Sequence, residues 1–405
     1  MKIKKSRLIT VGAIAAASAL VLSACATEDV EPSATASATQ APVEQEVITV
    51  WADEAEVPGL KAAALQFEAD TGILVELVVK EAVRDDFTAA PAAESPDVVL
   101  GAHDWQGLLV STGLIAPLEL GGRADGFITG SINAFNYDGQ QYGLPYAQEN
   151  VALVCTETAM PTAPATFQDA IDAGLAISMN DGVGDPYHMY ALQTSFGATV
   201  FEIDEAGSYT STLGMDNAAG YSFASWLSDN SDIFDLSNNT DIVKGQLISG
   251  DKGCWITGPW SGVWFTETFG EDGWNAFEIP SAGGEPAAQF SGVRGAMLSA
   301  NSDNPVAAAK FIVDYLGSEA GQTAMFSAAG RSPANLAALK AAGDTKIPSQ
   351  FGAAGINAMP MPAIPAMNSV WSFWGSTQVS IIKGDGDSAT LWQKMCEDIN
   401  AAIVG

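Results

Sequence analysis

Positive charge is scarce in this 405-residue chain, where 17 Lys and Arg stand against 48 Asp and Glu for a formal net charge of −31. That balance repels phosphate backbones and anionic lipid headgroups, so nucleic acid is a poor partner. Four Cys and two His are too few for a disulfide scaffold and leave little material for zinc. Neither a metal nor a cofactor is expected. The two histidines, His103 and His188, lie far apart and are expected to be structural hydrogen-bonding residues. Beyond the first segment the sequence contains no GxxxxGK[ST], no GxGxxG after a strand, no HExxH and no GxSxG. Nucleotide binding, zinc proteolysis and the common serine-hydrolase chemistry therefore lose their usual support.

What the chain does have is length and tryptophan. At about 150 residues per domain it accommodates two or three cores. Ten Trp exceed what such cores need, so some are expected to contact something else. Lys2, Lys4, Lys5 and Arg7 precede an apolar run from Leu8 to Leu22 that is short for a bilayer span, the pattern of a signal peptide over 1–24. Leu22-Ser23-Ala24-Cys25 resembles the lipobox of bacterial lipoproteins, which implies cleavage before Cys25 and acylation of its thiol. The expected location is the outer face of a bacterial cytoplasmic membrane, held by that lipid. Ala26 to Glu46 has no aromatic residue and cannot bury enough surface to fold. With Cys25 it reads as a tether over 25–46, with an r.m.s. span of roughly 25 Å.

The folded part opens with a strand, Val47 to Trp51, and a helix introduced by Pro58 and Gly59 with Leu60, Ala64 and Phe67 on one face, stopped by Thr71 and Gly72. Strands at Ile73 to Val79 and Asp97 to Leu100 complete a β-α-β layout in a parallel sheet. Asp53, Glu54 and Asp104 fall at carboxyl ends of strands, where ligands of such sheets bind. Later segments repeat the logic. Leu175 to Met179 is followed by the loop Asn180 to Tyr187 and a helix from Met189 to Phe196. A helix spans Ala218 to Leu227, and a buried strand from Lys252 to Thr257 ends in Gly258-Pro259-Trp260. A helix with a polar cap at Asp303 and Asn304 is expected from Pro305 to Leu316. Two α/β lobes are expected to face one crevice.

Several blocks occur in an order that resembles the maltose and maltodextrin-binding proteins of ABC importers, within the family 1 solute-binding proteins. They are Ile48-Thr49-Val50-Trp51, Phe67 through Ile73, Ala102-His103-Asp104, Ser111 through Ile115, Tyr142 through Tyr146 with Glu149, Asp185-Pro186-Tyr187, Gly258-Pro259-Trp260, and Met361 through Trp371. The resemblance implies a two-lobed, type II periplasmic-binding-protein-like α/β fold that is not an enzyme. It implies an N-lobe of 47–147 plus about 296–330 and a C-lobe of about 151–290 plus about 335–405. Crossings would lie near 147–151, 290–295 and 327–334.

By the same resemblance Asp104, Glu149 and Asp185 bind sugar hydroxyls, and Tyr187, Trp260 and Trp371 stack on glucose rings. This agrees with the chemistry of a pyranose, whose C–H faces suit aromatic rings and whose hydroxyl rim suits ionised acceptors. Asp53, Glu54 and Trp105 are further candidates. Trp374 lies one helical turn after Trp371, as a second subsite or as packing, while Trp51 is expected in the core. The sequence departs from the family where a Trp before Ala-His-Asp is Gly101, where the following Arg is Trp105, and where an Asp-Lys pair has become Asp53-Glu54-Ala55-Glu56. These changes suggest a floor re-shaped for a longer or branched glucan.

Cys155 and Cys254 sit in apolar, strand-like stretches and form either a disulfide or two buried thiols, with Cys396 then free. The implied partners are a maltodextrin or related oligosaccharide and the separate permease subunits of an ABC importer, the receptor itself acting as a monomer. The alternatives are another oligosaccharide in the same fold, or a secreted glycoside hydrolase, which also joins carboxylates to stacking Trp.

Overall fold

The computed structural model of the protein describes residues 45–204, 209–343 and 345–404. The expected signal peptide, most of the tether and Cys25 lie outside the described residues.

The first strand, Val47–Ala52, pairs in parallel with Leu74–Val79 on one side and Val98–Ala102 on the other. Between them the helix Val57–Thr71 has Pro in its first turn and ends at Gly72, whose φ of 74° lets its N–H close back on the Glu68 carbonyl. The sheet is mixed rather than parallel, which corrects the sequence expectation. A ten-residue strand, Phe290–Ser299, inserts antiparallel between Val98–Ala102 and Gly143–Asn150. Nothing local in its sequence announces a partner two hundred residues upstream. A second sheet, four strands among the described residues, has the order Trp274–Phe277, Ala152–Thr156, Cys254–Thr257, Leu175–Ala176.

Each sheet has its own core. Ile48, Val50, Leu60, Phe67, Leu100, Phe311 and Leu316 pack on the first. Leu153, Leu192, Phe223, Trp374, Trp392 and Ile399 belong to the core built around the second. Trp51 and Val99, one residue out of phase, face a further cluster with Phe87 and Leu109, so the first sheet is covered on both faces.

Two short stretches pass between these bodies. Gly143–Asn150 is in the first sheet and Ala152–Thr156 in the second, with only Val151 between them. Within Phe290–Ser299, Phe290 packs into the second core and Ala296 into the first. Ser332–Pro333 pairs with Gln148 and Ala147 at the edge of the first sheet, and the residues on either side of it, Met325 and Ala334, belong to the first core. The helix expected at 305–316 begins as Pro305–Lys310 and widens into a π-helical turn at Phe311–Leu316. Asn304 does not cap it. Its amide donates instead to the Val47 carbonyl, tying the helix start to the first strand. Cys155 and Cys254 face each other in register and are bonded, and Cys396 is free and buried.

Candidate functional site

The strand ends deliver the polar groups. After Val47–Ala52 the chain turns with Glu56 N–H on the Asp53 carbonyl. That turn points Glu54 to solvent and buries Glu56 completely. It is Glu56, and not Glu54, that meets Arg294. Arg294 Nη2 is 2.8 Å from Asp53 Oδ2, and its guanidinium also binds Glu56, which accepts the Tyr146 hydroxyl proton as well. Tyr146 reaches this position because strand pairing slips between Arg294 and Gly295, which oppose Ala147 and Pro145 and skip it. Burial pushes the Glu56 carboxyl pKa up, and Arg294 pulls it back without reversing the shift. Burial works against the charged Arg294, yet Glu56 and Asp53 hold its pKa above the usual range.

At the end of Val98–Ala102, a Cβ on Gly101 would lie 2.0 Å from the Trp105 ring. The two departures noted in the sequence are thus one rearrangement, in which the indole of Trp105 lies against the strand end in space that a side chain at 101 would need. The second sheet repeats the device, since Gly258 carries the Trp260 ring in the same way, at 2.1 Å.

Asp104 is 8% exposed. Its Oδ2 accepts the Trp371 indole N–H at 3.2 Å and its Oδ1 is buried without a partner. Burial raises the carboxyl pKa. Beside it His103 is buried, with Nδ1 accepting the Val293 N–H at 3.1 Å and Nε2 3.0 Å from the Met361 carbonyl. It is structural, as expected.

Tyr187 and Trp371 flank Phe290, and Trp260 lies beside Tyr187. Ring centroids are 6.3 Å apart for Tyr187 and Trp260, 6.1 Å for Tyr187 and Phe290, and 6.3 Å for Phe290 and Trp371. The Tyr187 hydroxyl is buried and unpartnered. Burial, then the Glu149 charge, pushes its pKa well up, so it stays a protonated donor. Trp374 is packing. It is fully buried, its indole N–H donates to Gln193 at 3.0 Å, and its ring supports Trp371 at 5.6 Å. The two rings share one face of the helix Ala366–Lys383, and Trp374 is the one that sits against the core.

Asp185 also takes a different role. It caps the helix Pro186–Thr194 by accepting the His188 N–H, and its other oxygen binds His188 Nδ1 at 2.7 Å. Both oxygens are engaged, so it positions His188, whose Nε2 is buried and unpartnered and whose ring packs edge-on to Trp260 at 5.7 Å. Glu149 is bonded to Arg331.

Two cavities adjoin this region. One of about 780 Å³ is lined by Arg84, Asp85, Leu108, Thr112 and Asn368 together with Trp371. Another of about 280 Å³ has Asp53, Trp105, Arg294 and again Arg84 and Asp85 on its walls. Asp53, Trp105 and Trp371 thus border open space. Glu149, Tyr187 and Trp260 line neither cavity; Tyr187 lies beside Trp260, and Glu149 meets Arg331. The residues missed in the sequence are Glu56, Arg84, His188, Arg294 and Arg331. A usable signal existed: the chain has five Arg, and three of them, Arg84, Arg294 and Arg331, are here. Among the described residues no group of three or more His, Cys, Asp or Glu is arranged to hold a metal ion, and no helix is long and apolar enough to cross a membrane.

Two sheets joined by short crossings, with acids and aromatic rings converging between them, define a binding-protein architecture. The family of bacterial extracellular solute-binding proteins matches residues 62–349, and the chain belongs to it. Over 430 aligned residues it is 24% identical to the galactooligosaccharide-binding protein of Bacillus subtilis (strain 168), covering 99% of this chain and 98% of that one. A 135-residue stretch is 27% identical to the maltotriose-binding protein of Pyrococcus abyssi (strain GE5 / Orsay), 28% of this chain and 27% of the relative. The fold matches that of the Thermus thermophilus maltotriose binding protein bound with maltotriose, with a TM-score of 0.79 and 25% identity over 88% of this chain and 100% of the other. Membership in a solute-binding family sets the hydrolase alternative aside: the protein is a binder and not an enzyme.

Proposed function

We propose that the protein captures an oligosaccharide outside the cell by closing its two lobes, and presents it to the permease of an ABC importer. A maltodextrin-type α-glucan is the leading ligand. The lobes would divide as the resemblance implies, and acylation of Cys25 would hold the receptor at the membrane. The observation that carries this reading is the contact of Trp371 with Asp104. It sets an aromatic face and a carboxylate with a free oxygen side by side, at a junction of the two bodies. A pyranose needs both, a flat apolar support for its C–H face and an ionised acceptor for its hydroxyls. Closure follows if the sugar touches both lobes, because only affinity in excess of that for the open form shifts the equilibrium.

A second reading, a galactooligosaccharide, is favoured by the end-to-end similarity to the Bacillus subtilis protein. Calorimetry with maltose, maltotriose, longer dextrins, galactooligosaccharides and a β-linked glucan control separates the two. The leading reading expects heat from α-glucans of three or more units. Binding confined to galactooligosaccharides transfers the assignment to the second, and absence of binding to every saccharide overturns both.

A further inference from the structure

Arg331 has no place in the reading above, yet it is built into the site. It follows Gly330, whose φ of 69° ends the helix Glu319–Ala329. A Cβ on Gly330 would stand 2.6 Å from the Pro259 carbonyl, so this turn brings Arg331 against the Gly258-Pro259-Trp260 corner. The side chain is buried, its Nε donates to Oε2 of Glu149, and its guanidinium carbon lies 5.4 Å from the Trp260 ring centroid. Nη1 is buried and has no hydrogen-bond partner. A buried donor on a charged group lowers the free energy of a complex strongly when a ligand supplies its acceptor.

We propose that Arg331 is a specificity-determining residue. Its Nη1 donates to an oxygen of the sugar unit that lies on Trp260, while Glu149 accepts from a neighbouring hydroxyl. This deepens the saccharide reading and rests on it. A guanidinium only donates and an ionised carboxylate only accepts, so the bridged pair imposes one order of roles on adjacent hydroxyls. The oxygen it reads is neutral. The guanidinium charge is already balanced by Glu149, and Asp104 in the same cleft disfavours an anionic sugar.

The test uses the full chain. Maltotriose, maltotetraose and galactotriose are titrated by Trp fluorescence, the tightest is taken as probe, and its monodeoxy analogues are then titrated against wild type, Arg331→Met and Arg331→Lys. One deoxy position is expected to weaken wild-type binding by about 10- to 100-fold and the variants by less than about twofold, the other positions penalising all three alike. Arg331→Lys retains a cation beside Glu149 and supplies the comparison if Arg331→Met melts. Equal penalties at every position in wild type and variant overturn the role of Arg331 alone. No binding of any saccharide by wild type overturns both it and the reading on which it rests.

Discussion

The indole N–H of Trp371 reaches Oδ2 of Asp104 at 3.2 Å although 267 positions separate them, and the contact joins a helix packed on one core to a strand end of the other sheet. Its two parts are separable. Trp371→Phe keeps a ring and loses the donor, so saccharide affinity is expected to fall about 5- to 10-fold by calorimetry. Trp371→Ala removes the stacking face as well and is expected to cost more than about 30-fold, with little change in melting temperature. Undiminished affinity in Trp371→Ala would remove this ring from the ligand.

Trp374 gives the opposite result. Its fully buried ring packs on Tyr190, Phe290 and Trp371. Trp374→Ala is expected to lower stability by about 3–5 kcal/mol in urea denaturation, the cost of a large core cavity. An unchanged unfolding midpoint would place Trp374 outside the core.

His103 makes stability depend on pH. Burial lowers its pKa below the ordinary value of 6.5, outweighing the opposing pull of Asp104. Below about pH 6.5 the unfolded chain takes up a proton that the folded one refuses, so stability is present above that pH and is lost as pH falls toward the lowered folded value. Gln at 103 offers the same acceptor and donor without titrating. Urea midpoints at pH 7.5 and pH 5 should therefore drop further for wild type than for His103→Gln, and equal drops would show that the histidine does not titrate in this way.

Arg294 stands between two acids, one of them wholly buried. Arg294→Met leaves Glu56 without its counter-charge and is expected to cost about 3–5 kcal/mol. The double variant with Glu56→Gln should regain much of that loss. A double variant no more stable than the single one would show that Tyr146 and solvent already neutralise Glu56.

The Cys155–Cys254 bond closes a separation of 99 residues. A loop of that size restricts the unfolded chain enough that Cys155→Ala with Cys254→Ala should lose about 4 kcal/mol. Peptide mapping without reductant should recover the two cysteines in one linked peptide pair. Separate peptides would mean free thiols.

Much of the architecture was legible because its signals are local. The apolar run in Val47–Ala52 and the Pro and Gly punctuation of Val57–Thr71 are local signals, and the observed bounds fall within a residue or two of those expected. The mixed character of the first sheet was not legible, since a strand's direction relative to its neighbour depends on how the chain returns. Of the site, Asp53, Asp104 and Trp260 stood out by residue type at strand ends, whereas Tyr187 and Trp371, which lie in helices, came from the family resemblance. For Glu54 and Asp185, residue type and resemblance showed that an acid is present but not that one faces solvent and the other bonds His188.

The order of residues alone determined the acidic charge, the αβ alternation, the wealth of tryptophan and the place of each block along the chain, because all of these depend on identity and short spacing. Tertiary structure decided which of those groups meet. Glu56 rather than Glu54 faces Arg294, Trp374 is core while Trp371 borders a cavity, and Arg331 lies beside Trp260. Those choices depend on where distant segments pack, such as the slip in register between Arg294 and its partner strand and the approach of Gly330 to the Pro259 carbonyl, and such contacts are not written in the few residues around each side chain.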